Sequence, residues 1–121
     1  MHSLLIGCSI ISVIITSDNP DLKSYRQMVS VTAMLEMRKT GAERITKGPV
    51  QVSLAFFFRR PKSKSKKAFM VVRPDADKLT RACFDSLSNI CYWDDSQVTD
   101  LYVTKRYGEP ERTEIEVREA A

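Results

Sequence analysis

The sequence predicts an α+β domain in which two helices pack on a mixed β-sheet, with elements in the order β-α-β-(β)-α-β-β. Three observations lead there. Two segments carry apolar residues at helical spacing, and each is opened by an Asp and Pro cluster. Four segments show either β-branched enrichment or strict alternation. The chain has 121 residues, enough for one ordinary core and too few for two, so residues 1–121 are expected to form a single domain.

The first strand covers residues 4–16, an apolar run rich in Ile and Val. A signal segment is the competing reading of this run. It is disfavoured because no Lys or Arg precedes the run and only seven residues come before Cys8. Residues 16–20 stop the strand, with Asn19 placed as an N-cap and Pro20 as a tolerated first helical residue. The helix over 21–39 follows from Leu22, Tyr25, Met28, Val29, Thr32 and Leu35 on one stripe, and Gly41 is placed to end it. Gly48 and Pro49 break the chain before residues 50–58, where Val50, Val52, Leu54, Phe56 and Phe58 alternate with less apolar neighbours. Residues 68–72 can add a short strand. Pro74 disfavours helix at Arg73, so the second helix is expected over 75–89, burying Leu79, Ala82, Cys83, Leu87 and Ile90. Residues 98–107 and 113–117 alternate and read as a closing hairpin turned at Gly108, Glu109 and Pro110.

Charge and cysteine content narrow the function. The formal charge is +4, but residues 59–73 hold seven bases and no acid, leaving twelve bases against fifteen acids elsewhere. A basicity confined to one stretch points to one polyanion-facing surface, so Arg59, Arg60, Lys62, Lys64, Lys66, Lys67 and Arg73 are candidate phosphate contacts. Three cysteines without a C-x-x-C pair, and a single histidine at position 2, exclude a Cys/His zinc site and a disulfide framework. Reduced thiols fit a cytoplasmic protein, with no membrane partner.

The acids gather in two places. Asp75 and Asp77 flank the start of the second helix, and Asp94 and Asp95 follow its end. A helix of about 15 residues spans about 22 Å. The two groups can therefore meet only if residues 92–95 double back along the helix. Hard oxygen ligands of this kind suit Mg²⁺, with Mn²⁺ as a substitute, and no small-molecule cofactor is implied. Each pair also has an ordinary structural reading, as helix-start acids or as an acidic turn. The basic stretch just upstream tips the balance towards a metal-dependent enzyme acting on a polyanion.

The residues Arg73-Pro74-Asp75-Ala76-Asp77-Lys78-Leu79, then Phe84-Asp85-Ser86-Leu87, then Trp93-Asp94-Asp95-Ser96-Gln97-Val98 resemble the RusA family of Holliday junction resolvases, small phage- and prophage-associated endonucleases. The resemblance implies a homodimer that binds branched, four-way DNA and makes paired symmetric nicks with Mg²⁺. Carried over by position, Asp75, Asp77 and Asp95 match the family's catalytic, metal-holding carboxylates, with Asp94 beside the third. The family's lysine, four residues after the second aspartate, falls at Arg81. Lys78 is the alternative cation to Arg81 for that role and a candidate DNA contact. Asp85 reads instead as a structural acid pairing with Arg81 on the helix face. The N-terminal segment departs from relatives that carry bases there. A catalytically silent junction-binding dimer of the same fold is the alternative reading.

Overall fold

A computed structural model describes residues 10–16, 22–61 and 69–120. It contains β1 (Ile10–Ile15), α1 (Leu22–Thr40), β2 (Val50–Phe58), α2 (Ala76–Leu87), a 3₁₀ turn (Asp95–Gln97), β3 (Val98–Tyr107) and β4 (Arg112–Glu119). The four strands form one mixed sheet in the order β1-β4-β2-β3. β4 runs antiparallel to both β1 and β2, and β3 runs parallel to β2. This is the expected α+β class.

The strand pattern sets which face is covered. Val50, Val52, Leu54 and Phe56 of β2 are fully buried, and their alternates are only partly so. Ile11, Val13 and Ile15 of β1 and Ile115 and Val117 of β4 bury on the same cluster as Val29 of α1 and Leu79, Cys83 and Leu87 of α2. Full burial of each such aliphatic side chain is worth roughly 1.5–3 kcal/mol. The two helices touch each other, α1 lies on β1, and α2 reaches β3.

Both helices form where their periodicity places them. In α1 the stripe runs through Tyr25, Met28, Val29, Ala33 and Met37, while Leu35 is 57% exposed. Strict i, i+4 spacing from Tyr25 and Val29 selects Ala33 over the larger Leu35. Gly41 ends the helix at φ +78°, its N–H donating to Met37 O at 2.8 Å. The expected Asn19 cap lies outside the described residues, as do Cys8 and the rest of residues 1–9. Cys83 and Cys91 are buried in the core, which pushes both thiols up to about 12 and leaves them inert.

Two expectations are corrected. The last two strands do not form a hairpin, because β2 lies between them. A parallel β2–β3 pair follows from the α2 crossover, and β2 then has one free edge left for β4. The connection crosses the end of β2, where Gly108 N–H donates to Phe58 O at 2.9 Å. A Cβ at Gly108 would lie 2.7 Å from the Phe57 ring, so a larger residue at this crossing would have to displace that ring. Nor do residues 69–72 form a strand. Phe69, Val71 and Val72 are exposed and only Met70 is buried. The Val72 carbonyl is taken by the Lys105 ammonium rather than by a neighbouring strand.

Candidate active site

The site is built where α2 begins and where the chain returns beneath it to enter β3. Asp75 is the N-cap of α2, in extended conformation, and its side chain makes no capping hydrogen bond. Asp77, Thr80, Arg81 and Phe84 follow at helical spacing and face a cavity of about 570 Å³, whose other walls are Ala76, Asp95, Leu101 and Val103. One pocket therefore holds Asp77, Arg81 and Asp95. Asp85 turns away: its carboxylate is 3.6 Å from Arg26, so it pairs with α1 and not with Arg81 as expected. Arg81 itself lines the pocket.

The return of the chain explains how Asp95 arrives there. After α2, Asn89 adopts φ +70°, Cys91 N–H donates to Leu87 O and Asn89 N–H donates to Tyr92 O. This tight turn drives the Tyr92 ring fully into the core. Asp94 and Gln97 then form a reciprocal capping box. Asp94 Oδ2 accepts from Ser96 N–H at 2.9 Å, and Gln97 Oε1 accepts from the Trp93 and Asp94 N–H groups at 2.8 and 2.9 Å. The Gln97 amide also donates to Ile45 O and Gly48 O, fastening the turn to the chain entering β2. Hydrogen bonds from the Ser96 side chain and backbone hold the Asp94 carboxyl below the usual carboxylate range.

The two adjacent acids are thus divided. Asp94 spends its carboxylate on the turn and does not line the pocket, whereas Asp95 does line it. Tyr92 Oη donates to Asp95 Oδ1 at 3.0 Å. Burial, with the Asp95 carboxylate beside it, pushes the Tyr92 hydroxyl well above the usual tyrosine range, so it stays protonated and acts as a donor. One oxygen of Asp95 is anchored, and the remaining lone pairs are left for a ligand.

Among the described residues, no three His, Cys, Asp or Glu side chains are gathered into a metal cage. Mg²⁺ seldom needs one: it takes one or two carboxylates and completes its octahedron with waters and substrate phosphate oxygens. Asp77 and Asp95 are hard oxygen donors in a pocket without His or Cys, which fits that ion.

Arg59, Arg60, Arg73 and Lys78 are exposed. Arg59 lies 3.8 Å from Glu109, and the Arg60 guanidinium sits 4.6 Å over the Tyr107 ring. Lys62, Lys64, Lys66 and Lys67 lie outside the described residues. Three contributors escaped the sequence reading. The Tyr92 ring is buried in the core, and its hydroxyl reaches Asp95. Gln97 has the spacing of a capping box, which an Asp with Gln three residues later signals. Lys105 was hidden in a strand, although it alternates with Leu101 and Val103 and so shares their face.

Among the described residues no helix is long and apolar enough to cross a membrane. The sequence matches the family model described as endodeoxyribonuclease RusA over residues 12–118. It is 32% identical over 110 residues to an uncharacterized protein, YqaN, of Bacillus subtilis (strain 168), covering 82% of this chain and 75% of that one. With the matched region running from β1 to the end of β4, and the acidic pocket inside it, the chain belongs to the RusA endodeoxyribonuclease family.

Proposed function

We propose that the protein is a Mg²⁺-dependent, structure-selective endonuclease that resolves four-way DNA junctions by paired nicks, acting as a homodimer. The observation that carries this reading is the single pocket holding two carboxylates from separate chain segments, Asp77 and Asp95, together with the Arg81 guanidinium. Asp77 and Asp95 would hold the ion; Asp75, the helix cap, does not line the pocket and would be the third carboxylate. Bound there, a divalent ion would supply an activated water and stabilise the leaving oxygen of a phosphodiester. The protein's own part is to hold the acids in place and to set a fixed positive charge against the phosphate. Arg59, Arg60, Arg73 and Lys78, with the lysines of the 62–67 stretch, would contact the DNA backbone without reading bases. A two-fold dimer would match a two-fold junction and deliver one nick per protomer.

The anchoring of Asp95 supplies one prediction. Tyr92→Phe removes the hydroxyl and keeps the ring in the core. It should cost about 1 kcal/mol in stability. Cleavage should fall more than that loss of folded protein accounts for, because Asp95 is no longer fixed. Chemical denaturation and single-turnover cleavage of the same preparation separate the two effects.

The reading is tested with a labelled synthetic four-way junction and a linear duplex of the same arms, incubated with the native chain in Mg²⁺ and in EDTA. Paired, metal-dependent nicks confined to the junction are expected, with light scattering giving the mass of a dimer. Tight junction binding without cleavage in Mg²⁺ or Mn²⁺ would leave a junction-binding protein instead. A monomer at micromolar concentration would rule out symmetric resolution.

A further inference from the structure

We infer that Lys105 is a positioning residue for Asp75, fixing the turn that sets this residue at the cap of α2, two residues before Asp77 of the pocket. The inference rests on reading Asp75 as part of a metal-holding site. The Lys105 ammonium donates to Val72 O at 2.7 Å and to Pro74 O at 2.9 Å. These carbonyls are two residues apart, so the Arg73–Pro74 segment curls around the ammonium. Residues 69–75 are in no strand, and Phe69, Val71 and Val72 are exposed, with Met70 buried between them.

Asp75 is the next residue, and its side chain makes no capping bond that would fix it locally. The carboxylate is therefore located by its backbone, which α2 holds from one side and Lys105 from the other. The first helical bond, Leu79 N–H to Asp75 O, supplies the helix side of that grip. Lys105 also shares a strand face with Leu101 and Val103, which line the pocket. The lysine thus ties the strand that walls the pocket to the turn that leads through Asp75 into the helix bearing Asp77.

A positioning role and a purely electrostatic one have opposite signs. An ammonium near carboxylates repels a divalent cation, so deleting its charge alone would tighten metal binding. Deleting a group that orients a ligand weakens binding, typically by tenfold or more. The test is Mn²⁺ titration by calorimetry on the full chain, comparing native protein with Lys105→Met, Lys105→Arg, Asp75→Asn and the double variant Lys105→Met/Asp75→Asn. Lys105→Met should weaken Mn²⁺ binding about tenfold. Lys105→Arg, which keeps charge and donors, should recover most of the loss. The double variant should bind no worse than Asp75→Asn alone, because both changes act through one carboxylate.

Thermal melts verify folding, and Lys105→Gln replaces Lys105→Met if the latter melts below the assay temperature. Unchanged or tighter binding in Lys105→Met, losses that add in the double variant, or no Mn²⁺ uptake by the native chain would each overturn the inference. Junction cleavage by the native chain reports separately on the proposed function. If Mn²⁺ binding shows this coupling but junctions stay intact, the Lys105 assignment stands and the resolvase reading fails.

Discussion

Asp95→Asn should leave four-way junction binding at least as tight as in the native chain and slow cleavage on the order of 10³-fold. Metal-borne stabilisation of phosphoryl charge is worth several kcal/mol, and each 1.4 kcal/mol is a factor of ten. The substitution is close to isosteric, and the amide oxygen can still accept from Tyr92, so the exposed site should keep its shape. What is lost is the negative charge that a divalent ion requires, and that loss also removes repulsion of the DNA. Asp77→Asn should behave in the same way, since Asp77 shares the pocket.

The neighbouring acid provides the internal control. Asp94→Asn should retain cleavage within a few-fold, because Asn is as good a cap as Asp and the Ser96 N–H still finds an acceptor. Loss of cleavage in Asp94→Asn equal to that in Asp95→Asn would mean that both acids hold the ion. The measurement is single-turnover cleavage of a labelled junction, with binding read separately in Ca²⁺. Unimpaired cleavage by both Asp95→Asn and Asp77→Asn would remove the pocket from the chemistry.

Periodicity made the elements legible, and tertiary geometry decided what they did. The helix starting after Pro74, the buried stripe of Leu79, Cys83 and Leu87, and the alternating β2 were all written in local spacing. The condition for a joint site was legible too: Asp77 and Asp95 could share a volume only if residues 92–95 doubled back, and they do. Pairing was not legible. The alternation of residues 98–107 and 113–117 is satisfied equally by a hairpin and by two strands on opposite sides of β2. Only the parallel crossover through α2 selects the second. The distinction between Asp94 and Asp95 was partly legible. Two adjacent carboxylates look alike, but Gln97 stands at capping-box spacing from Asp94 and not from Asp95. Lys105 lies some 30 residues from the turn it holds, a link that no local pattern carries.

Arg81 supports the second large effect. Arg81→Ala should lower the cleavage rate by about 10²- to 10³-fold, the usual loss when one preorganised donor to a developing charge is removed. Junction affinity should change far less, because one cation among many backbone contacts contributes little to binding. The pocket position makes this specific. Asp85, the acid expected to occupy Arg81, is paired with Arg26, and Arg81 lines the cavity with Asp77 and Asp95.

Arg81→Lys then separates two roles for the cation. A guanidinium stays protonated at any working pH, so it can stabilise charge but cannot serve as a proton donor that recycles. A lysine has an ordinary pKa of about 10.4 and can do both. If charge stabilisation is the whole role, Arg81→Lys should cleave at a near-native rate around pH 8. It should then lose activity as the pH rises through the lysine pKa, while the native chain shows no such limb from this position. If proton donation limits the native enzyme, Arg81→Lys should be faster than native at neutral pH. Equal loss in Arg81→Lys and Arg81→Ala would instead assign the guanidinium's planar fork, and not its charge, as what the phosphate needs.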